Sequence, residues 1–440
     1  MGNLYLKSAF LGMRKIVLLP ALVTVIISLL NSCNKLPFNN QFSEVVYVET
    51  NTYMKDQNAI IAYRNNGDGK LLEILGGPFF TGGSGVGNPQ QLTGPNESDN
   101  EISISNDKKF LLAVNSGSNT IAVFKINIDG TLSPVPGSPF NSFGETPVSI
   151  DIKGPLVYVA NKSDNPINPP STPGNFTVFK LEGDGSLTHL DSSTASNLTT
   201  VGSPAAVLAV RDYPFVFAPQ FFGVKTNSVH AGLYIYHRDS VGRIIPKTNV
   251  YLINVRGGAP LGLWQHPVNS NIVYIGCPAA GQVAIANMSL NSTTKDLHLD
   301  WTDVNVGPAA GTMRTNNAGN RMYALSSGDN SVSVFNTSSP TAPVLLQKLA
   351  LKNAGPAYIH SYYQSSFTSS ECYSLGLSSN EKFLYVVSQH TNPDFSIGNY
   401  NYLHVLSVNS NGTLSEPDDP MQLPVPNNVR PRGVAVYQIN

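Results

Sequence analysis

Charge is scarce in this chain: Asp, Glu, Lys and Arg make up 12% of 440 residues and balance to a formal net charge of −1. No basic cluster is present, so nucleic acid is not an expected partner, since phosphate binding needs a concentrated positive surface. Metal motifs are missing as well. The eight histidines show no H-x-x-x-H spacing and there is no Cys-x-x-Cys, so no local metal site is expected. Gly82-Gly83-Ser84-Gly85-Val86-Gly87 has the composition of a phosphate loop, but neither its spacing nor a helix after it. There is no G-x-S-x-G elbow, no visible set of cofactor ligands, and no long 3.6-residue periodicity after residue 33. Cysteine is limited to Cys33, Cys277 and Cys372. The last two fall in separate repeat units, and a bridge needs Cα atoms within about 7 Å. Two buried, unpaired thiols are expected.

What the chain does have is a recurring glycine turn. It reads Gly67-Asp68-Gly69-Lys70-Leu71, Ile128-Asp129-Gly130-Thr131-Leu132, Gly183-Asp184-Gly185-Ser186-Leu187, Val241-Gly242-Arg243-Ile244 and Asn411-Gly412-Thr413-Leu414. From Gly69 through Gly130 and Gly185 to Gly242 the steps are 61, 55 and 57 residues, and the remaining 170 to Gly412 make three more of the same size. A fixed period of this length marks a propeller or solenoid.

Unit two shows the contents of a repeat. Glu101-Ile102-Ser103-Ile104-Ser105 alternates, Phe110-Leu111-Leu112-Ala113-Val114 is nearly all apolar, and Thr120-Ile121-Ala122-Val123-Phe124-Lys125-Ile126 precedes the Asp129-Gly130 hairpin and Leu132. These are strands A, B, C and D of one blade. The apolar B run is the signature of a strand covered on both faces. Further units occupy 147–187, 204–244, 260–297, 308–345 and 373–414, although units five and six lack the Asp-Gly signal. The first unit, beginning with Val45-Val46-Tyr47-Val48, has no strand A before it. Arg432-Gly433-Val434-Ala435-Val436-Tyr437 supplies one from the other terminus. The expected fold is therefore all-β, a seven-bladed propeller closed by pairing of the C-terminal strand into the first blade, since an open ring would leave unpaired edges.

The chain reads as three segments. Residues 1–33 form a signal peptide, with Lys7, Arg14 and Lys15 ahead of a 15-residue apolar core at 16–30 that is too short for a membrane span; translation could begin at Met1 or Met13. The end of that core, Leu30-Asn31-Ser32-Cys33, resembles the bacterial lipoprotein signal, which implies lipidation of Cys33 and a membrane anchor. Residues 34–43 are a short tether, and 44–440 are the propeller. The tether joins strand B of the first blade, which places the membrane on the side of the tight turns.

Leu112-Ala113-Val114-Asn115-Ser116-Gly117-Ser118-Asn119-Thr120-Ile121 and Leu156-Val157-Tyr158-Val159-Ala160-Asn161 resemble two related groups. One is the seven-bladed lactonase family, including 6-phosphogluconolactonase-like proteins; the other is the YVTN-repeat propellers of bacterial envelopes. The resemblance spans about 44–440. It implies the fold, but no catalytic residue carries over: the family's Asp-Leu-Gly after strand B would fall at Asn115, Asn161, Pro219, Cys277, Ser326 or Ser388.

Long insertions gather on one face, in the B–C connections (50–58, 162–174, 220–231, 389–401) and D–A connections (80–99, 353–371). Such loops carry function in compact domains. Candidate ligand or partner contacts are His230, His360, Tyr362 and His390 on these insertions, with Glu145, Glu371, Arg430 and Arg432 where strands A begin. The first reading is a monomeric, lipid-anchored, extracytoplasmic propeller at the outer membrane or cell surface. It would bind or scaffold a protein, small molecule or carbohydrate through its long-loop face. The alternative is a lactonase-type hydrolase acting on a small lactone or sugar derivative. Convergent acids, arginines or histidines at one mouth of the channel would favour the enzyme.

Overall fold

Strand B is the most apolar stretch of every unit because its side chains serve two neighbours at once. In the second blade, Leu111 and Ala113 join a cluster with Tyr47 and Ile60 of the first. Phe110, Leu112 and Val114 join one with Val157 and Phe179 of the third. The same alternation runs round the ring, and seven apolar clusters each straddle one pair of adjacent blades. A fully buried Val, Leu or Phe contributes about 1.5–3 kcal/mol, so the blade-to-blade faces form the core.

The computed structural model describes residues 44–86, 98–162, 173–190, 194–196, 203–221, 232–245, 251–253, 258–360, 365–390, 401–426 and 429–439, with backbone only at 196, 251–253, 360 and 390. Ser43–Asn440 form one compact unit. The signal segment, Cys33, the tether and Phe42 lie outside the described residues.

Among the described residues, seven antiparallel sheets of four or five strands follow one another along the chain. Blade 1 orders Arg432–Gln438 (A), Glu44–Glu49 (B), Ala59–Asn65 (C) and Leu71–Glu73 (D). The terminal strand closes the ring as expected: Glu44 opposes Gln438, Val48 opposes Val434 and, after a bulge, Glu49 opposes Arg432. Strands A and B of the other blades are Ile102–Ile104 and Phe110–Asn115, Pro147–Lys153 and Leu156–Asn161, Leu208–Ala209 and Phe215–Gln220, Leu263–Gln265 and Ile272–Cys277, Ala310–Thr315 and Arg321–Ser326, and Ser370–Leu377 and Phe383–His390.

The glycine turn has a packing reason. Gly130 and Gly185 have φ of +82° and +91°, a left-handed conformation that glycine adopts without a Cβ penalty. A Cβ on Gly130 would stand 2.6 Å from Val45 of the preceding blade, and one on Gly185 would stand 2.6 Å from Phe110. Each turn thus closes over the start of the neighbouring strand B.

Two details depart from the sequence reading. Blades 5 and 6, which lack Asp-Gly, have unbroken outer strands at Leu297–Asn305 and Val344–Ala350. In blades 1 and 2 the outer strand is instead split, with Phe79–Phe80 and Phe140–Asn141 as second pieces. The 353–371 insertion is not all loop: Ala357–His360 and Ser365–Thr368 pair as a hairpin.

Candidate active site

Antiparallel order puts the start of every strand A and the end of every strand B at the same end of the ring. Charged residues in those positions therefore meet around the axis. Glu49 ends strand B of blade 1 and is directly opposite Arg432, which begins its strand A. Arg432 Nε lies 3.1 Å from Glu101 Oε1, with both side chains almost wholly buried. Its Nη2 donates to the Ser98 carbonyl, and its guanidinium lies over the Tyr373 ring, 5.1 Å from the centroid. Tyr373 donates to Glu371 Oε2 at 2.6 Å, and Tyr358 of the inserted hairpin donates to Glu371 Oε1 at 2.9 Å.

The segment at 98–101 fills the centre of the ring. Asp99 N–H donates to the Ala205 carbonyl of blade 4, and the Asn100 carbonyl accepts from Ile150 of blade 3. From the far side, Arg314 of blade 6 makes a two-pronged ion pair with Asp99, at 3.2 and 2.9 Å. The Arg314 guanidinium also rests over Trp264. Contact with four other blades fixes this segment, so Glu101 is held by a rigid scaffold.

Glu49 is the chemically distinctive group. Its Oε1 accepts from Asn58 Nδ2 at 2.7 Å, and Asn58 is itself held by Asn115. Full burial, with the Glu101 carboxylate as a neighbour, holds the Glu49 carboxyl well above the ordinary glutamate value, against the opposing pull of Asn58 and Arg432. Glu49 Oε2 and Arg432 Nη1 have no hydrogen-bond partner among the described residues, nor do Ser370 Oγ and Gln389 Oε1 at the same end of blade 7. Buried polar atoms left open in this way are matched to a ligand or water. One rim thus carries an acid whose pKa burial raises, a guanidinium nitrogen without a hydrogen-bond partner, and neutral hydrogen-bonding groups.

Of the sequence candidates, the structure brings Glu371 and Arg432 together, with Arg430 close enough to act electrostatically on Tyr358. Glu145 is solvent-exposed. His230 and Tyr362 lie outside the described residues; His360 and His390 end strands whose backbone alone is described there. Glu49, Glu101, Asp99 and Arg314 were not singled out from the sequence. The signal that points to them is an acid abutting an apolar strand in a chain where only 12% of residues are charged, as in Val45-Val46-Tyr47-Val48-Glu49. Among the described residues no group of acids, histidines and cysteines is arranged to hold a metal.

A second constellation has the order of a catalytic triad. Ser388 Oγ is 2.8 Å from His404 Nε2, and His404 Nδ1 is 2.6 Å from Glu416 Oε1. Ser388 and His404 are 0% exposed, and the group sits in the apolar interface of blades 6 and 7 beside Val386, Leu406 and Leu414. Glu416 Oε2 accepts the Lys352 backbone N–H across that interface. These contacts pin blade 7 to blade 6.

The family model described as "Lactonase, 7-bladed beta-propeller" matches residues 84–169. A search of curated proteins by sequence finds no match. Among solved structures, the chain is similar to a periplasmic gluconolactonase of Pseudomonas aeruginosa, at 17% identity and a TM-score of 0.62, covering 90% of this chain and 100% of that one. It is also similar to a putative 6-phosphogluconolactonase of Bacteroides fragilis, at 15% identity and a TM-score of 0.59, covering 90% and 98%. A hypothetical selenium-binding protein of Sulfolobus tokodaii matches at 9% identity and a TM-score of 0.60, covering 90% and 93%. At these identities the likeness is one of fold. The chain is a seven-bladed β-propeller, and the lactonase model matches it over one stretch, residues 84–169.

Proposed function

We propose that the protein is a lactone hydrolase, working outside the cytoplasm from a lipid anchor on Cys33. The observation that carries this reading is the opposed pair where strand A of blade 1 begins: a buried Glu49 whose pKa burial raises, with Oε2 lacking a hydrogen-bond partner, and Arg432, whose Nη1 lacks one. A lactone carbonyl accepts from Arg432, which stabilises the oxyanion formed as water adds to the carbonyl carbon. When the bond from that carbon to the ring oxygen breaks, Glu49 gives its proton to the departing oxygen, and the proton lost by the water restores the acid. Glu101 and Tyr373 position the guanidinium. The lactonase-type fold supports the hydrolase over the scaffolding role, and so does a rim of acids and arginines.

The test is a panel of aldonolactones and simple γ- and δ-lactones offered to the soluble domain (residues 44–440) in a pH-stat. Saturable hydrolysis above the buffer rate supports the proposal; rates equal to buffer across the panel count against it. Labelling of the full-length protein with a fatty-acid probe, lost in Cys33→Ala, tests the anchor separately.

A further inference from the structure

We infer that Asn58, seated by the glycine-rich segment at 82–85, decides which oxygen of Glu49 carries the acid's proton. It is a positioning residue that reserves Oε1 as an acceptor and leaves the proton to Oε2. The consequence for turnover rests on the hydrolase reading, whereas the placement of the proton does not.

Backbone groups fix the Asn58 amide. The Ala59 N–H donates to its Oδ1 at 3.0 Å, and the Val114 carbonyl accepts from its Nδ2 at 3.2 Å. A flipped amide would set donor against donor and acceptor against acceptor. Nδ2 is therefore the group that meets Glu49 Oε1 at 2.7 Å and Asn115 Oδ1 at 3.0 Å. An N–H aimed at Oε1 favours the carbonyl oxygen of the neutral acid there. The hydroxyl then falls on Oε2, which has no hydrogen-bond partner among the described residues. Glu101 and Arg432 are the charged groups that act on Glu49. Neither hydrogen-bonds it among the described residues, so Asn58 is what tells its two oxygens apart.

The segment whose composition suggests a phosphate loop serves this amide instead. Asn58 N–H donates to the Gly83 carbonyl at 3.0 Å, and the Asn58 carbonyl accepts from Thr81 N–H at 2.8 Å. Thr81 Oγ1 donates to Asn115 Oδ1 at 2.6 Å. The segment is itself held at both sides: Gly85 N–H donates to the Thr52 carbonyl at 2.7 Å, and the Ser84 carbonyl accepts from Gly117 at 2.9 Å. Gly83 lacks a side chain for want of room, since a Cβ would stand 2.5 Å from Asn115 Cγ and Nδ2. Its φ is not among the positive ones, so alanine at that position tests packing and not backbone strain.

The experiment uses the full-length protein and two variants, Asn58→Leu, which keeps the bulk and removes the donor, and Gly83→Ala, which crowds Asn115. Infrared difference spectra at mildly acidic pH report the C=O stretch of protonated Glu49, assigned by its loss in Glu49→Gln. In the wild type this band should lie where a hydrogen-bonded carbonyl absorbs, and in Asn58→Leu it should move to higher frequency. Because the lost N–H also stabilised the carboxylate, the band should persist to higher pH in that variant. Gly83→Ala should move both readouts the same way by less. For an aldonolactone, kcat should fall at least about tenfold in Asn58→Leu, part of what a well-placed general acid contributes, with KM changed less than about twofold. A wild-type band at the frequency of an unbonded carbonyl would put the proton on Oε1 and overturn the inference. So would a band and a pH limb that stay put in both folded variants, even if the wild type hydrolyses lactones. The expected spectra without turnover in the wild type would sink the hydrolase reading and keep the proton on Oε2.

Discussion

The Tyr47 hydroxyl of blade 1 donates to the carbonyl of Gly130, the turn glycine of blade 2, at 2.9 Å. The same reach is made by Tyr158 to Gly242 and by Tyr323 to Gly412. In each case a strand-B tyrosine of one blade holds the C–D turn of the next. The glycine repeat and the apolar strand B are therefore two halves of one joint. Tyr47→Phe removes only the hydroxyl and should cost about 1 kcal/mol. Gly130→Ala should cost more: about 1–2 kcal/mol for the left-handed backbone, plus the clash with Val45. Urea denaturation of both variants checks the order, and a tyrosine variant the more damaged of the two would contradict it.

Ring closure depends on Arg432–Gln438 pairing along Glu44–Glu49. Truncation at residue 430 exposes that edge together with Val48 and Tyr47. Loss of a single cooperative thermal transition is expected, and an unchanged midpoint would refute the importance of the closing strand.

Ser388, His404 and Glu416 should behave as structure. His404→Ala leaves Glu416 Oε1 buried without its hydrogen-bond partner, which costs about 1–3 kcal/mol. Ser388→Ala should leave hydrolysis unchanged. If that variant folds normally yet loses turnover, the catalytic assignment belongs here instead.

Both propeller thiols are buried and far from thiolate at neutral pH. Burial pushes Cys277 up to about 12 and raises Cys372 as well. The native domain (residues 44–440) should therefore fail to react with a thiol reagent at pH 8 and yield two equivalents when unfolded. Prompt reaction in the native state would be inconsistent with the packing.

Stability should fall as pH rises from mildly acidic to alkaline. Glu44 and Glu49 both have raised values, chiefly from burial, so the native state holds protons that the unfolded chain has already released. That contribution is whole below the ordinary glutamate pKa and is lost as pH climbs toward the raised values. Glu49→Gln should flatten the decline between pH 5 and pH 8 in denaturant midpoints. An equally steep decline in the variant would show that Glu49 ionises normally.

The architecture could be read from the sequence because each blade repeats the same local chemistry: a glycine turn, a two-faced apolar strand and polar hairpins. Even the closure was visible, as an unpaired strand at each end of the chain. The site was only half legible. Glu371, Arg430 and Arg432 stand out as charges where strand A begins, but Glu49 and Glu101 gain their meaning from neighbours far away in sequence. Arg314 meets Asp99 across 215 positions, a contact that only the closed ring creates. The hairpin at Ala357–His360 and Ser365–Thr368 was hidden because its short strands lie inside a long polar connection.

The proposed chemistry turns on one proton held by Glu49. The most direct measurement is kcat/KM for an aldonolactone, across pH 5 to 9, for the wild-type soluble domain and for Glu49→Gln. The wild type should lose activity as pH rises through a value above the ordinary glutamate range. The glutamine variant should keep its fold and lose at least about a hundredfold in kcat/KM, the usual scale for a general acid. Undiminished turnover by a folded Glu49→Gln protein would place the chemistry elsewhere.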